Sequence, residues 1–92
     1  DITAILGGED ERLAALHDLS KLRRAGFSIV YPLKNQSFNK QFKNADKSGA
    51  SIALVYGEEE LAAGKVKIRN LATREETLTL RSQLVEELKA LL

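Results

Sequence analysis

The sequence contains no cysteine, one proline and one histidine. Without cysteine, disulfides and thiolate zinc sites are excluded, and a reducing cytoplasm is a compatible setting. No apolar run approaches the ~20 residues that a membrane-spanning helix needs. The opening Asp1-Ile2-Thr3-Ala4 lacks the basic region of a signal peptide and has no initiating Met, so it reads as the start of a piece of a longer protein. An excess of one charge sign is also missing. Fourteen Lys and Arg against thirteen Asp and Glu leave a net charge of +1. Bulk charge therefore gives no argument for nucleic acid, and any such argument must rest on where the cations sit. What is present is ordinary: 92 residues, 43% apolar and 29% charged, as in one small globular domain spanning residues 1–92.

Alternating apolar runs and helical stripes give the order of elements. Ile2 to Leu6 is a short apolar strand closed by Gly7-Gly8. Glu9 to Ala25 is a helix, acidic at its start and basic at its end, with Leu13, Leu16, Leu19 and Leu22 expected inward. Phe27 to Tyr31 is a second strand, ended by Pro32. Asn35 to Ser48 is a second helix, capped by Asn35 or Ser37, with Phe38, Phe42 and Ala45 inward and Lys40, Lys43 and Lys47 outward. Ser51 to Tyr56 is apolar on both faces, as a central strand should be. An acidic turn, Gly57 to Gly64, leads into a strand from Lys65 to Leu71, and Thr73 to Glu75 turns into a last strand, Thr77 to Leu80. Ser82 caps a final helix with Leu84, Val85, Leu88, Leu91 and Leu92 inward. This is an α/β pattern. Right-handed crossovers make the first three strands parallel, and the short connection makes the fourth antiparallel to the third.

Candidate chemistry is sparse. Gly7-Gly8 between strand and helix is neither G-x-G-x-x-G nor a P-loop. Gly7-Gly8-Glu9-Asp10 matches a diguanylate cyclase signature, but that motif belongs on a hairpin and here a helix follows. His17 reads as a helix-surface residue, since neighbouring Asp18 points elsewhere and no triad is visible. Glu58-Glu59-Glu60 suits a solvated turn, an acceptor for a base edge, or, with poor spacing, a divalent cation. The fourth strand alternates strictly, so Lys65, Lys67 and Arg69 share one face and Val66 and Ile68 the other. Those cations are either a solvated face that discourages aggregation or a phosphate- and base-contacting surface. No catalytic constellation emerges, and the residues favour a binding module over an enzyme.

Three blocks add a family resemblance. Leu22-Arg23-Arg24-Ala25-Gly26-Phe27-Ser28-Ile29-Val30, the run from Asn39 to Ala50 with its Ala45-Asp46-Lys47-Ser48-Gly49-Ala50, and Ala53-Leu54-Val55-Tyr56-Gly57-Glu58-Glu59-Glu60-Leu61 resemble the anticodon-binding domain of histidyl-tRNA synthetases. Val66-Lys67-Ile68-Arg69-Asn70-Leu71-Ala72-Thr73 continues the likeness, which spans roughly Ile5 to Leu92. The resemblance implies three α/β/α layers around a five-stranded mixed sheet of order 2-1-3-4-5, strand 4 antiparallel, with three main helices. It implies a C-terminal domain of a longer class IIa synthetase that binds the anticodon loop of the tRNA for histidine. ATP and Mg²⁺ would act in the parent's separate catalytic domain, with no cofactor, metal or catalytic residue here. The parent would be a cytoplasmic homodimer with no membrane contact. Positions matching the family's base contacts are Asn35, Glu60 and Arg69, and Lys34, Lys65 and Lys67 are phosphate candidates. Where the family often has Thr-Gly-Glu-Gln, this chain has Thr73-Arg74-Glu75-Glu76, so the turn loses its glycine and the rim gains an acid. A synthetase-like domain reused as a protein-interaction or regulatory module is the second reading.

Overall fold

A computed structural model describes residues 2–34 and 36–91. Five strands, β1 (Ile2–Leu6), β2 (Ile29–Val30), β3 (Ile52–Tyr56), β4 (Lys65–Asn70) and β5 (Glu76–Leu80), form one sheet of order β2-β1-β3-β4-β5. β1 pairs in parallel with β2 and β3, while β4 runs antiparallel to both β3 and β5. The mixed five-stranded architecture expected from the resemblance is therefore the one observed.

The helices are α1 (Glu9–Arg24), α2 (Phe38–Ser48), a short α3 (Glu58–Ala62) and α4 (Leu84–Leu91). α1 and α4 cover one face of the sheet, where Leu19, Leu22, Leu84 and Leu88 pack with Ile2, Leu54, Tyr56, Val66 and Ile68. α2 covers part of the other face, where Ala45 packs with Ile5, Ala53 and Val55, and Phe42 and Leu71 close the edge. β3 is buried at every residue because both layers rest on it. Each large side chain removed from water in this way contributes about 1.5–3 kcal/mol.

Local chemistry sets the helix ends. Ser37 Oγ accepts from the Lys40 amide at 3.2 Å and starts α2. Gly49, at φ 76°, ends it. Asn35, the other expected cap, lies outside the described residues.

Several expectations need correction. In α1 the inward stripe is Ala15, Asp18, Leu19 and Leu22, whereas Leu13 is 67% exposed. An aspartate within the stripe disguised its i, i+3, i+4, i+7 spacing. The acidic Gly57–Gly64 turn contains the single-turn helix α3. A 3₁₀ turn at Arg81–Gln83 precedes α4, and Leu91, expected inward, is exposed; Leu92 lies outside the described residues. The turn after β4 forms without glycine. Asn70 Oδ1 accepts from the amides of Ala72 and Thr73, and Arg74 takes the left-handed conformation at φ 69°.

Candidate nucleic-acid interface

β4 divides the molecule. Val66 and Ile68 are buried against α1 and α4. Lys65, Lys67 and Arg69 point to the opposite face and are half-buried rather than fully solvated. α2 does not extend over all of that face. A cavity of about 490 Å³ opens there, floored by Val55, Lys67 and Arg69, walled by Phe38, Asn39 and Phe42 of α2 and by Gly57 to Glu60, and rimmed by Glu76 of β5.

Gln41 fixes the α2 wall. Its side-chain carbonyl accepts from the Leu6 amide at 2.7 Å, and its side-chain amide donates to the Leu6 and Gln36 carbonyls at 2.8 and 2.9 Å. A buried amide satisfied on every side holds the helix to the end of β1. Phe38 and Phe42, three residues before and one after, line the cavity as a result. The acidic wall is set by Gly57, where a Cβ would collide with the Glu60 carboxylate. Glycine there lets Glu60 fold back over the first turn of α3.

Arg69 is the best-positioned cation. Its guanidinium carbon lies 4.8 Å from the Phe42 ring centre, a cation–π distance. Its Nη1 is 3.8 Å from Glu76, the residue directly opposite it on β5. Among the described residues its buried Nε has no hydrogen-bond partner. Lys67, diagonal to Glu76, also approaches that carboxylate at 3.8 Å. Both contacts are long, so the two cations keep donors free for a ligand.

Below β3, a buried network supports the site. Asp18 accepts from the Tyr56 hydroxyl at 2.9 Å and from Arg81 at 2.8 and 3.1 Å. Burial, and next the Asp18 charge, push the Tyr56 phenol pKa well up. The Asp18 hydrogen bond raises that of Arg81 against the opposing effect of burial. Tyr56 leads directly into Gly57, and its carbonyl accepts from the Gly7 amide at 2.9 Å, so the network anchors the start of α3.

The model of the family described as "Anticodon binding domain" matches residues 4–91. The chain belongs to that family. This anticodon-binding domain is 52% identical over 83 residues to the histidine–tRNA ligase of Opitutus terrae, covering 90% of this chain and 19% of the relative. It is 41% identical to that of Synechocystis, covering 97% of this chain and 21% of the relative. The domain thus spans about a fifth of the length of the curated relatives it matches. Apo histidyl-tRNA synthetase of S. aureus superposes with TM-score 0.86 at 28% identity, over 95% of this chain and 22% of that one. The RNA binding domain of threonyl-tRNA synthetase from Cryptosporidium parvum shares the fold at 23% identity, TM-score 0.80, over 97% of this chain and 22% of that one. These likenesses bear out the resemblance read from the sequence.

Of the sequence-derived site residues, Glu60, Lys67 and Arg69 meet in the cavity. Lys65 lies at the start of β4 and Lys34 on the loop after β2, and neither lines it. Asn35 lies outside the described residues. His17 is exposed on α1, as expected. Among the described residues no cluster of His, Cys, Asp or Glu could hold a metal ion, and no helix is long and apolar enough to cross a membrane. Sequence reasoning missed Phe38, expected inward but 40% exposed, and the ion pairs of Glu76. Only the flagged loss of the family's glutamine at position 76 pointed to the second.

Proposed function

We propose that this domain reads the anticodon loop of the tRNA for histidine, anticodon GUG, within a histidyl-tRNA synthetase. The observation that carries the reading is the convergence of Glu60, Lys67 and Arg69 on one open cavity. A guanidinium can make a two-pronged hydrogen bond to guanine O6 and N7, and a carboxylate can accept from a base N–H. Unpaired loop bases expose such edges, whereas the A-form duplex hides its own in a deep, narrow groove. Lys67 serves phosphate contact, and Lys34, Lys65 and Asn35 extend the footprint. The parent, a cytoplasmic homodimer, would attach histidine with ATP and Mg²⁺ in a domain outside these residues.

One observation favours a second reading. The Glu76 carboxylate adds a negative charge 3.8 Å from both Lys67 and Arg69, which suits a domain reused as a protein-interaction or regulatory module with little need of RNA. Titration with the histidine anticodon stem-loop and with a scrambled-anticodon loop, each at low and physiological salt, separates the two. Tighter cognate binding that weakens with salt is the expected result. Equal, weak binding to both loops would favour the module.

A further inference from the structure

We propose that Phe38 is a stacking platform for one unpaired base of the bound loop. The inference rests on the RNA-reading function above and adds a residue to that site. Phe38 begins α2, is 40% exposed and lines the cavity beside Glu58, Lys67 and Arg69. A large apolar ring left open to water beside two cations is poor packing for a core and good geometry for a nucleobase. Two neighbours flank the ring. Its tip lies 3.2 Å from where a Cβ at Gly7 would stand, so the glycine turn gives it a seat. Its centroid is 6.4 Å from that of Phe42, tilted by 38°. Phe42 in turn carries the Arg69 guanidinium. Phe38, Phe42 and Arg69 therefore form a row of flat groups that runs from the α2 wall to the floor of the cavity.

The row divides the work. A stack engages the face of a base and tolerates any base, because every base has a π-face. Hydrogen bonds to the edges discriminate. Phe38 thus supplies affinity that is blind to the anticodon, and Arg69 with Glu60 supplies the selectivity.

The chain has no tryptophan, so Phe38→Trp introduces a single indole reporter. Titrated with the cognate stem-loop, this variant should bind within about threefold of wild type, with its fluorescence quenched by the stacked base. Phe38→Leu keeps apolar bulk but has no π-face. It should weaken cognate and scrambled loops alike, by roughly 5- to 100-fold. Arg69→Ala should instead erode the preference between the loops. Unchanged affinity in Phe38→Leu, or tight binding of Phe38→Trp without quenching, overturns the platform alone. Failure of the wild-type chain to bind either loop overturns the RNA-reading function and the platform with it.

Discussion

Asp18 and Arg81, on α1 and in the turn before α4, are joined by two hydrogen bonds of 2.8 and 3.1 Å. The pair ties the first helix to the last across the same face of the sheet, and the Tyr56 hydroxyl completes it. Removing Asp18 leaves the buried Tyr56 hydroxyl without its acceptor, while the partly exposed Arg81 keeps its bond to the Ala14 carbonyl. Asp18→Ala should cost about 1–3 kcal/mol, a sizeable share of the ~5–15 kcal/mol that holds small domains folded. Urea denaturation checks this. A loss below about 1 kcal/mol would mean that water replaces the carboxylate.

Alkaline stability follows from the same network. Burial, reinforced by Asp18, keeps the Tyr56 phenol protonated in the fold, above the ordinary value of 10.0. The unfolded chain releases that proton near pH 10 and the folded chain does not. The stabilisation is thus complete below pH 10 and is lost as pH climbs beyond it. Tyr56→Phe should cost about 1–2 kcal/mol at neutral pH and flatten the alkaline fall. A denaturant series from pH 7 to 11.5 tests it, and an unchanged alkaline slope in the variant would assign the fall to other groups.

Glu76 should restrain RNA binding. Its carboxylate sits between Lys67 and Arg69 at 3.8 Å from each, where a phosphate or base edge would compete with it. Glu76→Gln should raise affinity for both cognate and scrambled loops several-fold and steepen the salt dependence. Stability should change by under about 1 kcal/mol, since these pairs are partly exposed. Weaker binding in the variant would instead make Glu76 a ligand-contacting acceptor.

Arg74 holds a left-handed conformation that glycine adopts at no steric cost. It also pairs with Asp46 of α2 at 2.9 Å, on the exposed surface. The two effects separate in sequence. Asp46→Asn removes the ion pair, and Arg74→Gly in that background should then stabilise by about 1 kcal/mol. Thermal melting should show a rise of about 4–8 °C. No rise would mean that the hydrogen-bonded Asn70 turn carries the strain without cost.

The strand directions and the β4 face were legible because period-two alternation and short connections leave few alternatives, whereas the sheet order came from the family resemblance. The same alternation put Lys67 and Arg69 on one face, and only the family likeness grouped them with Glu60, which lines the same cavity. Asp18 was not legible, because a charged residue in a helix reads as solvated until a partner 63 positions away arrives to neutralise it. Gln41 was hidden likewise, since its worth lies in the Leu6 backbone groups it satisfies. Phe38 looked like core because spacing shows which helix face is apolar, not how far the opposing layer extends. α2 leaves part of the β4–β5 face open as the cavity, and that boundary is a property of packing.

The two-sidedness of β4 has a consequence for how such a domain can change over generations. Val66 and Ile68 serve the core, and Lys67 and Arg69, interleaved with them, serve the cavity. Substitutions on the outward side leave the inward side chains and the ladder in place. A new reading preference can therefore be reached through steps that all remain folded. The strand behaves as an editable line of text on a fixed page.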